Sequence, residues 1–169
     1  MSLAALLLGL ALPALAEGPP RLVAVQGGCP DQCCTYGAWR ATRSVKLFAE
    51  AGSSRAVGVV KEDDAVEARE GVLLIRPRKV KVVMQSLYDS TMPRGEALYL
   101  INRLVDGSWR VWYKGAFVDG VREIWDPVES GKVKGAWWVR VQAGDGVSGW
   151  TKDAASFEGS RQTNCQAGN

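Results

Sequence analysis

Gly135-Ala-Trp-Trp-Val-Arg-Val-Gln-Ala-Gly-Asp-Gly-Val-Ser-Gly-Trp-Thr151 is the stretch on which the reading of the fold depends. Apolar and polar residues alternate from Trp138 to Gln142, Gly144-Asp145-Gly146 supplies a turn, and a second short run ends at Trp150. A period of two, broken by a glycine-rich turn, is the pattern of a β-hairpin with one wet face. The chain is therefore expected to be all-β. Neighbouring residues on a strand point to opposite faces, so Trp137 and Trp138 must part company. If Val139 and Val141 fill the core, Trp137 goes inward with them and Trp138 shares the outer face with Arg140.

Similar runs recur on both sides of this stretch. Towards the N-terminus they fall at 36–41, 45–49, 57–60, 65–68, 72–75 and 78–83, parted by polar turns such as Glu62-Asp63-Asp64. After a polar, turn-like segment at 86–94 come 97–101 and 109–113, while 117–134 reads as a connection holding one short strand. Short strands at this spacing suggest small barrels or a sandwich. Gly107-Ser108-Trp109-Arg110-Val111 echoes 135–141 with a shift of register, a degenerate repeat that implies two barrels of one kind. Two threadings are open. In tandem order the barrels occupy about 36–83 and 95–151. In nested order the opening strands are completed by the final hairpin, with the middle set inserted between them.

The ends of the chain read differently. Residues 3–15 form an apolar run too short to span a bilayer, and Ala14-Leu15-Ala16 before Glu17 has the small-x-small form of a cleavage site. Residues 1–16 are thus expected to be a signal peptide, and the mature protein to be periplasmic or secreted. No second long apolar stretch follows, so no membrane span is expected. Residues 17–35 read as a Gly- and Pro-rich linker with a cysteine cluster, and 158–169 as a tail carrying Cys165. Cys29, Cys33, Cys34 and Cys165 make an even set, which in an oxidising compartment implies disulfides. A vicinal Cys33–Cys34 bridge is strained, so one of the two is expected to pair with Cys29 and the other with Cys165. The second bridge would close a loop of roughly 130 residues and stabilise the domain by about 3 to 5 kcal/mol. Thiolate metal sites with Cys-x-x-x-Cys-Cys spacing and no histidine are uncommon, so no metal is expected.

Composition restricts the chemistry. The 169 residues include no histidine, which removes Ser-His-Asp and Cys-His nucleophiles and histidine zinc sites. Twenty-one basic against 18 acidic side chains leave +3, too little to argue for nucleic acid. Arg76, Arg78, Lys79 and Lys81 read as a charged strand face that keeps an edge soluble, in preference to an anion-binding patch. Glu123 with Asp126 is a conceivable glycosidase pair, but both sit beside turn formers as surface residues do. No phosphate loop opens a helix, and no cofactor or catalytic residue is expected.

Trp138-Val139-Arg140-Val141 with Gly149-Trp150-Thr151 resembles the closing hairpin of the bacterial type of Src-homology-3-like domain, and the order of the opening strands is similar to that family's. The resemblance implies two small SH3-like barrels in a non-catalytic envelope or secreted binding module. Its ligand would be peptide-like, either a peptidoglycan peptide or an envelope protein partner. The resemblance also implies that the tryptophan at position 138 lines the ligand groove. Arg140 on the same face, with Tyr36 and Tyr99, are the companion contacts. The other reading is a disulfide-stabilised structural or inhibitor protein acting through a protein interface.

Overall fold

The computed structural model describes residues 18–30, 34–84 and 92–160. The expected signal peptide, Cys33 and Cys165 lie outside the described residues. Within them the chain is all-β with every strand pairing antiparallel. The strands are β1 (Val23–Gln26), β2 (Gly37–Ala41), β3 (Val45–Phe48), β4 (Ala56–Val60), β5 (Ala65–Ile75) and β6 (Arg78–Lys81). They continue as β7 (Ala97–Arg103), β8 (Trp109–Tyr113), β9 (Ala116–Val121), β10 (Gly135–Ala143), β11 (Ser148–Thr151) and β12 (Phe157–Glu158). A one-turn helix, α1 (Pro127–Ser130), precedes β10, and a 3-10 turn at Ala154–Ser156 precedes β12.

Two sheets result. The larger has the order β12-β2-β5-β10-β11-β3-β4, with β1 also paired to β5, and the smaller runs β6-β7-β8-β9. The nine-residue β10 lies along β5 from Gly135 opposite Ile75 to Ala143 opposite Val66. The strands that open the chain are therefore completed by the hairpin that closes it, and the smaller sheet is inserted between β5 and β10.

The alternation seen in sequence explains the main core. Val139 and Val141 of β10 are fully buried with Trp39, Leu47, Val60, Val66 and Phe157, and Trp137 packs against this group as expected from its parity. The hairpin turn is held by Gly146 at φ 88° and by the Val147 N–H donating to Asp145 Oδ1. At 61–64 the turn has no glycine, and Asp63 itself adopts φ 66°. Asp is among the few residues that tolerate this left-handed conformation. The smaller sheet buries Leu98, Leu100, Val111, Tyr113 and Val121 with Met92, Ile124 and Trp125 in a second core.

Two elements differ from the sequence reading, and a third, the short strand expected within 117–134, is fuller than expected. The runs at 65–68 and 72–75 are one 11-residue strand, β5. Its register shifts opposite Arg140/Val141, and such a bulge reverses which parity faces the core. Polarity at Arg69 and Glu70 made this bulge look like the end of a strand. Second, β1 lies in the segment read as linker, where Val23, Ala24 and Val25 find partners on the C-terminal end of β5. Third, the connection at 117–134 holds β9, a full six-residue strand joined to β8 by a tight turn with Lys114 at φ 45° and Gly115 at φ 89°.

Candidate functional site

Trp138, expected on an outer surface beside Arg140, does share that face but is only 6% exposed. The bulge in β5 turns Val72 and Leu74 towards the same side, and Trp138 lies directly opposite Val72. The β3–β4 hairpin folds over them: Phe48 meets the indole edge to face at 5.6 Å, with Ala51 and Trp150 packed alongside. This face of the sheet carries a small third core, so the ring is interior.

The other expected contacts are dispersed. Arg140 pairs with Glu70 across the strands at 3.1 Å, both side chains about half exposed. Such a pair contributes at most about 1 kcal/mol. Tyr36 lies near the same carboxylate. Its hydroxyl and the Trp137 indole nitrogen both lie over Gly71, where a Cβ would come within 2.5 Å of the oxygen and 2.6 Å of the nitrogen. Burial pushes the Tyr36 pKa up, the adjacent Trp137 nitrogen pulls it back, and the Glu70 charge adds to the rise. The two groups approach without meeting hydrogen-bond geometry, and Trp137 Nε1 is a buried donor lacking a partner among the described residues. Tyr99 stands on β7 of the other sheet, opposite Lys79 and Trp112. The carboxylates weighed as a hydrolytic pair have other partners. Glu123 accepts from Trp109 Nε1 at 3.3 Å, and Asp126 caps α1 by accepting from the Val128 N–H at 2.9 Å.

A cleft of about 540 Å³ opens where the two sheets meet. Its floor is Val25 of β1, Leu73 and Ile75 of β5 and Gly135 of β10. Its wall is the end of β7 with the following turn, Ile101 to Val105, and Trp109 of β8. Small residues keep the cleft open: a Cβ on Gly135 of the floor would stand 2.7 Å from Leu73 Cδ1, and one on Gly28 at the edge would stand 2.8 Å from the Val25 carbonyl oxygen. One lip is Gly27 to Pro30, pinned by the Cys29–Cys34 disulfide. The opposite lip is Val105, 97% exposed at a turn tip.

The cleft is mostly apolar, with two polar side chains on its wall. Arg103 donates through Nε to the Gly107 carbonyl at 3.2 Å, which fixes the turn that presents Val105. Asn102 donates from Nδ2 to the Arg103 carbonyl at 3.2 Å, while its Oδ1 is buried without a partner among the described residues. A buried acceptor left unpaired costs about 1 to 3 kcal/mol, so such a group calls for an explanation. The four expected contacts line no part of this cleft, and sequence reasoning missed the residues that do. A signal was present in Leu104-Val105-Asp106-Gly107, where two large apolar residues run directly into an Asp-Gly turn.

Among the described residues no group of three Cys, Asp or Glu side chains could hold a metal ion, and no helix is long and apolar enough to cross a membrane. No family model, curated protein or solved structure matches the chain.

Proposed function

We propose that this protein is a non-catalytic, exported binding module that takes an extended, peptide-like ligand into the cleft between its sheets. The ligand would be a cell-wall peptide or a segment of an envelope protein. The observation that carries the reading is Asn102 Oδ1, an acceptor unpaired among the described residues on the wall of a mostly apolar cleft. An amide N–H of the ligand would satisfy it, and apolar side chains of an extended ligand suit the surfaces of Leu73, Leu104 and Val105. Pockets of this kind bind by apolar burial and use a few polar groups to orient the ligand.

The fold supports the same reading. In the larger sheet the order β12-β2-β5-β10-β11, with a 3-10 turn before the last strand, matches the five-strand order of an SH3-like barrel. On that alignment the β3–β4 hairpin is the long first loop, and the smaller sheet is an elaboration of the connection between second and third strands. The smaller sheet has four strands, one fewer than such a barrel, and its likeness to one rests on the sequence echo alone. The Cys29–Cys34 bridge suits a periplasmic or secreted protein.

Retention of the full chain on purified peptidoglycan, followed by titration with its soluble peptides, tests the proposal. Wild-type protein is expected to bind, and Asn102→Leu and Val105→Asp to weaken binding about tenfold or more, the cost of one lost hydrogen bond or apolar contact. If peptidoglycan and its peptides are not bound but an envelope protein is captured by wild type and not by Asn102→Leu, the ligand is a protein segment. Binding unchanged in both variants, or no ligand of either kind, overturns the reading.

A further inference from the structure

Among the described residues the strands that end a sheet are β12 and β4 in the larger, β6 and β9 in the smaller, and β1, which pairs with β5 alone. A strand at an edge leaves main-chain N–H and C=O groups open to pairing, and proteins blunt such edges with charge, bulges or brevity. β6 carries Arg78, Lys79 and Lys81, and β9 carries Asp119, paired with Arg110. β4 is bulged at Val57, where its register with β3 shifts, and β12 is two residues long. β1 reads Val-Ala-Val-Gln, without charge, proline or bulge. The direction of its free groups follows from the residue beyond it. The Gly27 N–H donates to the Gly71 carbonyl at 2.9 Å, continuing the register that sets Val25 opposite Leu73. Alternate residues of a strand aim their main-chain groups to the same side, so Val23 and Val25 serve the ladder with β5. Ala24 and Gln26 therefore turn their N–H and C=O groups outward, where no main-chain partner meets them among the described residues.

This edge is also one margin of the cleft. Val25 lies on its floor beside Leu73, and Gly27 to Pro30, directly after β1, form its lip. A strand laid along β1 sends the side chains opposite Val23 and Val25 to the cleft side of the sheet, and those opposite Ala24 and Gln26 to the exposed side. Pairing with both Ala24 and Gln26 takes a main chain that repeats a donor and an acceptor at every second residue, about 6.8 Å apart. Consecutive α-linked L-residues repeat them so. Cell-wall peptides, which mix D-residues and side-chain amide links into the chain, do not.

We infer that the ligand is an extended segment of a partner protein that adds to β1 as a further strand, with alternate apolar side chains entering the cleft. This rests on the cleft being the ligand site. A phage-displayed library of random short L-peptides, selected on the full chain, supplies the probe. Selected peptides are expected to alternate apolar and polar residues. N-methylation of single amides in a synthetic copy should weaken binding about tenfold or more at every second position, and little at the positions between. Bound peptide should also slow hydrogen exchange at Ala24 and Gln26. Ala24→Pro removes one outward donor and leaves the ladder with β5 whole, since an edge strand tolerates proline where its N–H faces away. With its circular dichroism spectrum unchanged, this variant should bind the peptide about tenfold or more weakly. Asn102→Leu tests the cleft separately. A peptide lost by Asn102→Leu but held by Ala24→Pro leaves the cleft reading standing and overturns the added strand. The inference is equally overturned by a methylation pattern without a period of two, by a library that yields no peptide, or by soluble cell-wall peptides that bind wild type and Ala24→Pro alike. Ala24 and Gln26 amides already slow to exchange in the chain alone would show the edge covered from within, and overturn it too. The cleft reading keeps its own test on peptidoglycan whichever way these fall.

Discussion

At the scale of single residues, adjacent tryptophans on β10 show how one strand can serve two cores. Trp137 joins Val139 and Val141 on the main core, while Trp138 is enclosed by Phe48, Val72, Leu74 and Trp150 on the reverse side. Opposite facing followed from strand geometry alone. Enclosure did not, because it depends on the β5 bulge and on a hairpin from 90 residues earlier, neither of which local alternation encodes. The consequence is energetic. Trp138→Ala should destabilise the protein by about 3 to 5 kcal/mol, as for other large aromatics removed from cores. Urea denaturation monitored by circular dichroism measures it, and a loss below about 1 kcal/mol would show that the ring contributes little packing. Asn102 gave no comparable sign in the sequence, since an unpaired acceptor is a property of surroundings and not of residue type.

At the scale of elements, most strands were legible because one face of each is buried and the other wet. β3, β8 and β10 carry that alternation, β4 and β7 read as short apolar runs between turns, and the structure places all five within a few residues of the expected runs. β1 escaped because four residues between the Gly- and Pro-rich stretches at 18–20 and 27–30 are too short a run to stand out, so its partners on β5 supply what pattern does not. The smaller sheet and its flanks also concentrate ionic contacts. Tyr113 and Lys114 hold the Glu96 carboxyl below its ordinary pKa. Ser108 does the same for Asp106, Arg110 for Asp119, and Lys132 with Arg78 for Glu129. A carboxylate whose pKa is lower folded than unfolded adds stability above its unfolded value and loses it as pH falls through the folded one. Hydrogen exchange in β7, β8 and β9 should therefore accelerate as pH drops below about 4, after correction for intrinsic rates. Protection unchanged down to pH of about 2 would mean that these exposed contacts carry no net stability.

At the scale of the molecule, four cysteines permit three pairings, and the observed Cys29–Cys34 bridge leaves one partner each for Cys33 and Cys165. If the chain is oxidised throughout, the second bridge joins those two, tying the tail to the start of the first sheet. Peptide mass mapping without reduction should return a Cys33–Cys165 cystine, and free thiols at both positions would refute it. The two threadings that sequence left open are separated by the β5–β10 ladder, which joins residues 60 or more positions apart. No periodicity reports that distance, because hydrophobic pattern records which face is buried and not which strand covers it.

That ladder also sets a timetable for the growing polypeptide. β5 emerges from the ribosome well before β10, so the larger sheet must wait, with an edge of β5 unoccupied, until Gly135–Ala143 has been made. β6 through β9 pair only with one another and are complete earlier. The inserted unit can thus fold without waiting for β10, and by folding it draws Ile75 and Gly135 together, shortening the loop that the rest of the chain has to close.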